Sequence, residues 1–373
     1  MNAVKGVPMV RLTRAQQQVR TRAAVLAAAT QEFAEHGYAD AKVDRIAARA
    51  DLTRGAVYSN FPSKRSLYLA VLLQSVPRTA ALDAPAAAMD VATAAEAFAR
   101  VWLERLPLAG DPPAAGKLKS QSLTGVFDDE PGRTALAELT MLEGLLLALA
   151  LESCQPPDAG RRVRLAELIL TLLNGAGHLA QAAPGFGDPF DVARACHHLA
   201  GLDVDDVWNP PHLPYVAAPE LCRDTWTPPT ELTDAISDRP VGFDSDGLIV
   251  VLGTGRLGAA EEAVRAARPG DLVTVAVVTS DPAETGALVR LRITDLAACL
   301  RRLFGPAISP SMRLVLDDQA ALASAIGAGT AEDTEAAIRI RAGKIIARAY
   351  GRGAAYAAAT TPVAEAQRER DER

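Results

Sequence analysis

Three glycines with the spacing of a nucleotide-binding loop lie in the last third of the chain. Gly253, Gly255 and Gly258 follow an apolar run in VVLGTGRLGAA and precede a segment with helical character. This GxGxxG spacing lets backbone amides approach a pyrophosphate at a helix N-terminus. Asp281 ends the next apolar run, where an acidic residue would bind a ribose hydroxyl. The pattern predicts either a nucleotide site or a strand-to-helix turn whose glycines serve tight packing.

A second stretch, residues 43–67, has the residue types of a DNA-reading unit. Its sequence, VDRIAARADLTRGAVYSNFPSKRSL, predicts two short helices joined by a tight turn, with Thr53 as the N-cap of the second helix. Gly55 and Ala56 keep the start of that helix small enough for close approach to a major groove. Arg54 is placed to reach base edges, and the polar groups around it to bind phosphates. The predicted DNA-binding residues are Lys42, Thr53, Arg54, Gly55, Ala56, Tyr58, Ser59, Asn60 and Lys64.

The distribution of charge agrees with this location. The formal net charge of the chain is −6, yet residues 1–70 hold eleven Lys and Arg against five Asp and Glu. A basic end on an acidic chain is the predicted site for a polyanion such as DNA.

Composition restricts the other functions of the chain. A length of 373 residues predicts two or three domains, and a mean hydropathy of +0.08 predicts a globular protein. The apolar runs are broken before the length that spans a bilayer, and we expect no membrane segment, no signal peptide and a cytoplasmic location. The four cysteines form no CxxC pair and predict neither a zinc site nor a dithiol centre; they are Cys154, Cys196, Cys222 and Cys299.

The hydrophobic pattern divides the chain into four parts. Residues 1–70 form the predicted helix-turn-helix domain, and the pattern of residues 71–201 predicts a second, helical domain. Residues 202–244 are rich in proline and acidic residues, which predicts a linker. Residues 245–373 alternate strand and helix patterns and end in a hairpin around Ala342 and Gly343, which predicts an α/β domain.

The N-terminal part resembles the TetR family of bacterial transcription regulators. The family pattern F…GY…V..IA..A..T.GAVY..F.SK..L is matched by Phe33, Gly37, Tyr38, Val43, Ile46, Ala47, Ala50, Thr53, Gly55, Ala56, Val57, Tyr58, Phe61, Ser63, Lys64 and Leu67. The resemblance implies a homodimeric, ligand-responsive repressor whose first three helices bind DNA. The helices of residues 71–201 would form the effector pocket and the dimer interface. The chain departs from the family at Ala41, Lys42 and Asn60, which leaves the operator sequence open.

The order of elements after residue 245 is similar to that of thioredoxins and peroxiredoxins. In such a domain the redox cysteine follows the first strand, where this chain has Thr254, Gly255 and Arg256. A thiolate nucleophile is therefore missing from that position. The resemblance implies a thioredoxin-like domain without redox activity.

Together these patterns predict a multidomain protein with an all-α TetR-like part followed by an α/β thioredoxin-like domain. The predicted function is that of a cytoplasmic, ligand-responsive, homodimeric repressor that uses no cofactor and performs no catalysis. Its predicted partners are double-stranded operator DNA, a second copy of the chain and an unknown small-molecule effector. The alternative is a nucleotide-dependent enzyme that uses the 253–258 glycine loop and carries the N-terminal part as a regulatory module.

Overall fold

Four helices form the N-terminal unit of the chain. The computed structural model describes residues 13–76, 89–106, 118, 123, 125–156, 159–243, 245–305 and 311–361, so the basic arm before Thr13 and the charged C-terminal run lie outside the described residues. Thr13 and Ser63 begin the first and the fourth helix with reciprocal capping boxes. Gly37, with a φ of 71°, interrupts the first helix shortly before its last residues. The four helices are α1 (Arg14–Asp40), α2 (Val43–Arg49), α3 (Arg54–Tyr58) and α4 (Lys64–Ser75).

Four further helices confirm the predicted helical region up to about residue 201. They are α5 (Val91–Leu103), α6 (Glu130–Glu152), α7 (Val163–Ala182) and α8 (Pro189–Leu199). Helix α6 is apolar on more than one face, and within the described residues it is the one helix long and apolar enough to cross a membrane. The most apolar stretch of this helix is 67% buried inside the protein, as expected for a core helix.

A mixed six-stranded sheet forms the core of the C-terminal part. Its order is β1-β8-β7-β4-β5-β6, in which β4, β5 and β6 are parallel and β7 and β8 form an antiparallel hairpin beside β4. The alternating elements and the hairpin confirm the predicted α/β region, while its thioredoxin-like assignment stays a prediction. The remaining elements are β1 (Glu220–Thr225), β2 (Thr233–Asp234), β3 (Arg239–Pro240), β4 (Gly247–Gly253), α9 (Ala259–Ala266), β5 (Leu272–Val278), α10 (Thr285–Phe304), β6 (Met312–Leu316), α11 (Ala321–Ile326), β7 (Glu335–Arg341), β8 (Lys344–Tyr350) and α12 (Ala354–Thr360).

Both faces of this sheet are buried, which explains why β4 reads as a continuous apolar run. Leu248, Val250 and Leu252 point into a core that continues into the N-terminal helices. Ile249 and Val251 point to the opposite face, which is covered by α11 and by part of the 202–244 segment. Alternate side chains of a strand face opposite sides of a sheet, so burial on both sides requires apolar residues at every position.

The predicted linker, residues 202–244, lies along both edges of the sheet. At one edge its strand β1 pairs antiparallel with β8. At the other edge Ala235 N donates to Leu314 O over 2.7 Å, and Asp234 accepts from Leu314 N over 2.9 Å. The segment therefore supplies the outermost strand at one edge of the sheet and hydrogen-bonds to the outermost strand at the other.

The helical part and the sheet part are joined by ion pairs as well as by a common core. Arg65 on α4 donates to Asp129 over 2.5 Å and to Glu284, beside the start of α10, over 3.0 Å. Deeper in the junction, Arg292 of α10 pairs with Glu143 of α6. Helix α4, which follows the predicted DNA-binding helices directly, is therefore held against the α/β part.

Candidate nucleic-acid interface

The helix-turn-helix unit is built around a tight turn between α2 and α3. Asp51 has a φ of 55°, and Leu52 N donates to Ala47 O over 2.9 Å, so the chain reverses within four residues. Thr53 then accepts from Ala56 N over 3.2 Å and caps α3 as the sequence predicts. The contact face of the two helices is made of buried apolar side chains, among them Ile46, Ala47, Val57 and Phe61.

The start of α2 is fixed by a carboxylate that the sequence analysis did not single out. Glu32 of α1 is completely buried and accepts from Lys42 N over 3.0 Å and from Arg45 Nε over 2.6 Å. Burial by itself would raise the pKa of Glu32, but these hydrogen bonds lower it and keep the group ionised. Lys42, the N-cap residue of α2, makes no side-chain cap hydrogen bond, and Glu32 instead binds its backbone amide. A buried acidic residue in an otherwise apolar helix face is the signal that identifies it.

Glu32, Glu35 and His36 come close enough to hold a metal ion, since their ligand atoms lie within 4.8 Å of one another. Arg45 already pairs with Glu32, and Arg49 pairs with both Glu32 and Glu35. The group is therefore an ion-pair network that packs α1 on α2.

Most of the predicted DNA-binding residues form one exposed surface around α3. Lys42, Thr53, Arg54, Tyr58 and Ser59 are exposed, as is Gly55. A Cβ on Gly55 would have Thr53 Oγ1 at 3.8 Å as its nearest neighbour, which is ordinary contact. Packing within the protein therefore does not require glycine at this position, and the backbone of α3 is open to an external partner.

Arg54 is held in place by two neighbours within the same surface. Its guanidinium lies 3.3 Å from Asp44 of α2 and 5.5 Å from the centre of the Tyr58 ring. Both partners of the ion pair are exposed, so the pair is weak and its guanidinium is free to exchange Asp44 for a base or a phosphate.

Four of the predicted residues make internal contacts in this structure. The side chains of Ser59 and Asn60 donate to Ala56 O, each over 2.9 Å, and Ala56 itself is half-buried. Lys64 Nζ donates to Ala39 O over 3.0 Å and lies 4.8 Å from the Tyr38 ring, and burial lowers its pKa. These contacts join α3 and α4 to the rest of the unit and leave Lys42 as the more accessible lysine.

Helix α1 adds cations that the sequence analysis did not assign to the interface. Arg14 and Arg20 are exposed and have no ion pair among the described residues. Arg22 donates to Asn60 O over 2.8 Å and stacks on Phe61 at 4.0 Å, so it fixes the loop after α3. The signal was the group of arginines in the first half of α1, Arg14, Arg20 and Arg22.

The glycine loop at residues 253–258 is occupied by the protein itself. Gly253 N donates to Thr334 O, Gly255 N to Glu332 O and Gly258 N to a carboxylate oxygen of Glu138, each over 2.8 Å. A Cβ on Gly253 would lie 2.3 Å from Ala331 O, so the glycine is needed for this close approach. The amides that would bind a pyrophosphate are therefore already used, which favours the packing interpretation.

Two carboxylates lie at the same end of the sheet as the glycine loop. Glu332 accepts from the hydroxyls of Thr254, Thr279 and Ser280, and these bonds outweigh burial and lower its pKa. Asp281, the residue predicted to bind a ribose in the nucleotide alternative, instead accepts from the amides at the start of α10. These hydrogen bonds fix the start of α10 at Thr285.

Comparison with known proteins identifies the N-terminal unit. Residues 25–71 match the family described as bacterial regulatory proteins, tetR family. The chain is also 42% identical over 52 residues to the HTH-type transcriptional repressor SCO4008 of Streptomyces coelicolor. That match spans 14% of this chain and 27% of the repressor, so it concerns the N-terminal part alone.

Among solved structures, helical regulators cover about half of the chain. A TetR regulator from Rhodococcus sp. RHA1 is 20% identical with a TM-score of 0.32, covering 50% of this chain and 98% of its own. NalD of Pseudomonas aeruginosa, the secondary repressor of the MexAB-OprM multidrug efflux pump, is 19% identical with a TM-score of 0.33, covering 51% and 99%. Both TM-scores are low, so the family assignment rests on the sequence match of residues 25–71. Residues 25–71 of this chain form a helix-turn-helix domain of the TetR family.

Proposed function

We propose that this chain is a transcription regulator that binds double-stranded operator DNA as a homodimer and represses the genes nearby. The observation that carries the proposal is the exposed backbone of α3 at Gly55, flanked by Arg54 and Tyr58 and left open by the protein's own packing. A recognition helix lies in the major groove with its N-terminal residues against base edges, so an open backbone at Gly55 beside Arg54 suits this contact. We expect the protein to act in the cytoplasm, where its DNA is.

The test is to fill that open surface without disturbing the fold. Gly55→Leu adds a side chain with no close neighbour inside the protein, so the protein stays folded while its approach to DNA is blocked. Ala27→Leu adds the same side chain to an exposed position of α1 and serves as the matched control.

The operator is first obtained by selecting bound sequences from a random DNA library, and the affinity of each variant for it is then measured. We expect Gly55→Leu to weaken binding at least about tenfold, because close contacts at the groove are lost. Unchanged binding by Gly55→Leu, or equal loss in Ala27→Leu, would contradict the proposal.

Within this surface we assign base reading to Arg54 and phosphate binding to Tyr58. A guanidinium can make a bidentate contact to guanine, whereas a phenol one turn further along the helix suits a phosphate oxygen. Arg54→Ala should relax the selected sequence at one position of each half-site, and Tyr58→Phe should weaken binding without changing that sequence. An unchanged sequence for Arg54→Ala would assign base reading to other residues.

The second copy is expected to pack on α7 and the loop after it. Leu168 and Leu179 of α7 are exposed, and Phe186 and Phe190 beyond it are 71% and 64% exposed. Such an apolar surface on one side of a chain marks an interface. A Cβ on Gly175, in the same helix, meets nothing within 4 Å. Gly175→Lys should therefore leave the single chain folded but yield monomers in analytical ultracentrifugation, and dimers of that variant would place the interface elsewhere.

We propose that the α/β part has a thioredoxin-like fold, performs no catalysis and serves in sensing. Burial raises the pKa of all four cysteines, to about 12 for Cys196 and about 11 for Cys299, so no reactive thiolate is favoured among them. The alternative, a nucleotide-dependent enzyme, is opposed by the occupied amides of the 253–258 loop. Titrating the protein with NAD(H), NADP(H) and ATP decides between them, since tight saturable binding would favour the enzyme.

A further inference from the structure

A large cavity lies at the junction between α4 and the α/β part. Its volume is about 710 Å³. Leu73 and Val76, at the end of α4, form one wall, and α10 contributes a second through Arg290, Thr294 and Arg301. The other walls are the 231–238 segment and the chain that follows β6. The carboxyl ends of parallel strands are where α/β folds bind ligands, and β6 ends here.

Three of the charged side chains in this cavity are already bound by other groups of the protein. Arg290 forms an ion pair with Asp318. Asp317 accepts from the amides of Ala321 and Ala323, over 2.7 and 3.0 Å, at the start of α11. These groups hold the wall of the cavity together and are not available to a ligand.

The remaining charges favour a cation. Glu231 and Asp238 are exposed at the cavity, and neither carboxylate has a hydrogen bond or an ion pair among the described residues. Arg301 is the remaining guanidinium in the lining, and it donates to Ala235 O and Ile236 O, which partly offset its charge. Among the described residues, four carboxylates and two guanidiniums line the cavity, so this lining carries a net negative charge.

The cavity also has apolar walls. Leu73 and Val76 of α4 face Leu232, Val315 and Leu316 of the α/β part across it. A space of this size with apolar walls and a few polar groups is typical of a small-molecule site. Its preferred occupant therefore has an apolar body and a positive charge.

We propose that this cavity binds an amphiphilic organic cation, and that its occupancy is linked to DNA binding through α4. Binding in the cavity depends on the position of Leu73 and Val76, and α4 begins three residues after Phe61, which packs in the helix-turn-helix core. A ligand that fits one position of α4 better than another shifts the protein toward that position. The link to DNA rests on the function proposed above, whereas the binding site does not.

Calorimetric titration of the full chain without DNA tests the site directly. The probes are tetraphenylphosphonium and tetraphenylborate, which have the same shape and opposite charge. We expect saturable binding of the cation and at least about tenfold weaker binding of the anion, because only the cation is attracted by the unpaired carboxylates. Absence of saturable cation binding, or equal binding of both probes, would overturn the proposal.

Three variants locate the binding. Glu231→Gln combined with Asp238→Asn should weaken cation binding at least about fivefold, and Thr294→Phe, which places a phenyl ring among the lining residues, should abolish it. Glu220→Gln removes the same kind of charge from exposed β1, at the opposite edge of the sheet, and should change affinity less than about twofold. Full binding in Thr294→Phe, or equal losses in Glu231→Gln and Glu220→Gln, would place the cation elsewhere.

The link to α4 is tested on the operator. Saturating tetraphenylphosphonium should change operator affinity in the native chain and not in Thr294→Phe. An unchanged operator affinity would disprove the link while the calorimetric result still establishes the site. A chain that selects no DNA sequence at all would refute the proposed function and leave the same calorimetric test of the cavity.

Discussion

Replacing Arg292 by methionine is expected to weaken the junction between the helical part and the sheet. The guanidinium of Arg292, on α10, donates two hydrogen bonds to the carboxylate of Glu143 on α6, over 2.8 and 2.5 Å. Glu143 is 1% exposed. Burial by itself would lower the pKa of Arg292, but attraction to Glu143 raises it, so the pair is ionised.

The size of the effect follows from this burial. Removing one partner of a buried ion pair leaves an uncompensated charge and costs about 3–5 kcal/mol. Folded domains are stable by about 5–15 kcal/mol, so Arg292→Met should remove a large share of the free energy of unfolding. Adding Glu143→Leu removes the orphaned charge, and the double variant should regain most of the loss.

Arg302→Met is the matched control. Arg302 lies on the same helix and also pairs with a carboxylate of the helical part, Glu104, but the two side chains are 43% and 53% exposed. Exposed ion pairs contribute at most about 1 kcal/mol, so this change should have little effect.

Urea denaturation followed by circular dichroism and by tryptophan fluorescence measures these differences. Trp102 reports on the helical part and Trp226 on the sheet, so separate transitions would show that the two parts have come apart. Equal losses in Arg292→Met and Arg302→Met would refute the reasoning. So would a double variant that is no more stable than Arg292→Met alone.

Three further predictions concern the surface and the pH. Lys42→Ala should lower operator affinity for all sequences alike and reduce the slope of log affinity against log salt by about one, whereas Lys64→Ala should also lower the melting temperature, because Lys64 holds Ala39 O. Asp44→Asn should tighten operator binding in the native chain more than in Arg54→Ala, because it releases Arg54; equal gains in both backgrounds would show a general charge effect. Burial and a neighbouring carboxylate raise the pKa of Glu262 to about 7, so its contribution to stability is lost as the pH rises from about 4.5 to 7. Glu262→Gln should therefore stabilise the protein more at pH 8 than at pH 5 in thermal melts, and the same gain at both values would assign the carboxyl an ordinary pKa.

The Glu262 prediction has a clear structural origin. His212 Nε2 lies 2.9 Å from a carboxylate oxygen of Glu262, and burial lowers the pKa of this histidine. Both pKa shifts favour the neutral form of the two groups. The pair joins the 202–244 segment to α9.

Local sequence determined the DNA-binding unit almost completely. Thr53, Gly55 and the apolar positions Ile46 and Val57 act within one or two turns of each other, so their spacing alone predicts α2, the turn and α3. Helical periodicity likewise predicted that the chain is helical up to about residue 201, and the last of these helices ends at Leu199.

The tertiary structure decided which polar groups of that unit are available. Spacing placed Asn60 and Lys64 on the DNA surface, but their donors are used by Ala56 O and Ala39 O in this structure. Glu32 of α1 accepts from Lys42 N and Arg45 Nε at the start of α2, and no local pattern shows these contacts. Such contacts join separate elements, and a single sequence does not reveal which side chain reaches which backbone group.

The same distinction holds for the C-terminal part. Sequence determined the alternation of strands and helices and the hairpin, because each depends on neighbouring residues. Only the tertiary structure showed that the proline-rich segment lies along both edges of the sheet and that Glu332 and Glu138 occupy the glycine loop. The amides of a GxGxxG loop are free for a nucleotide only if no other part of the chain binds them. Here residues about 80 positions further along the sequence fill the space that a nucleotide would need.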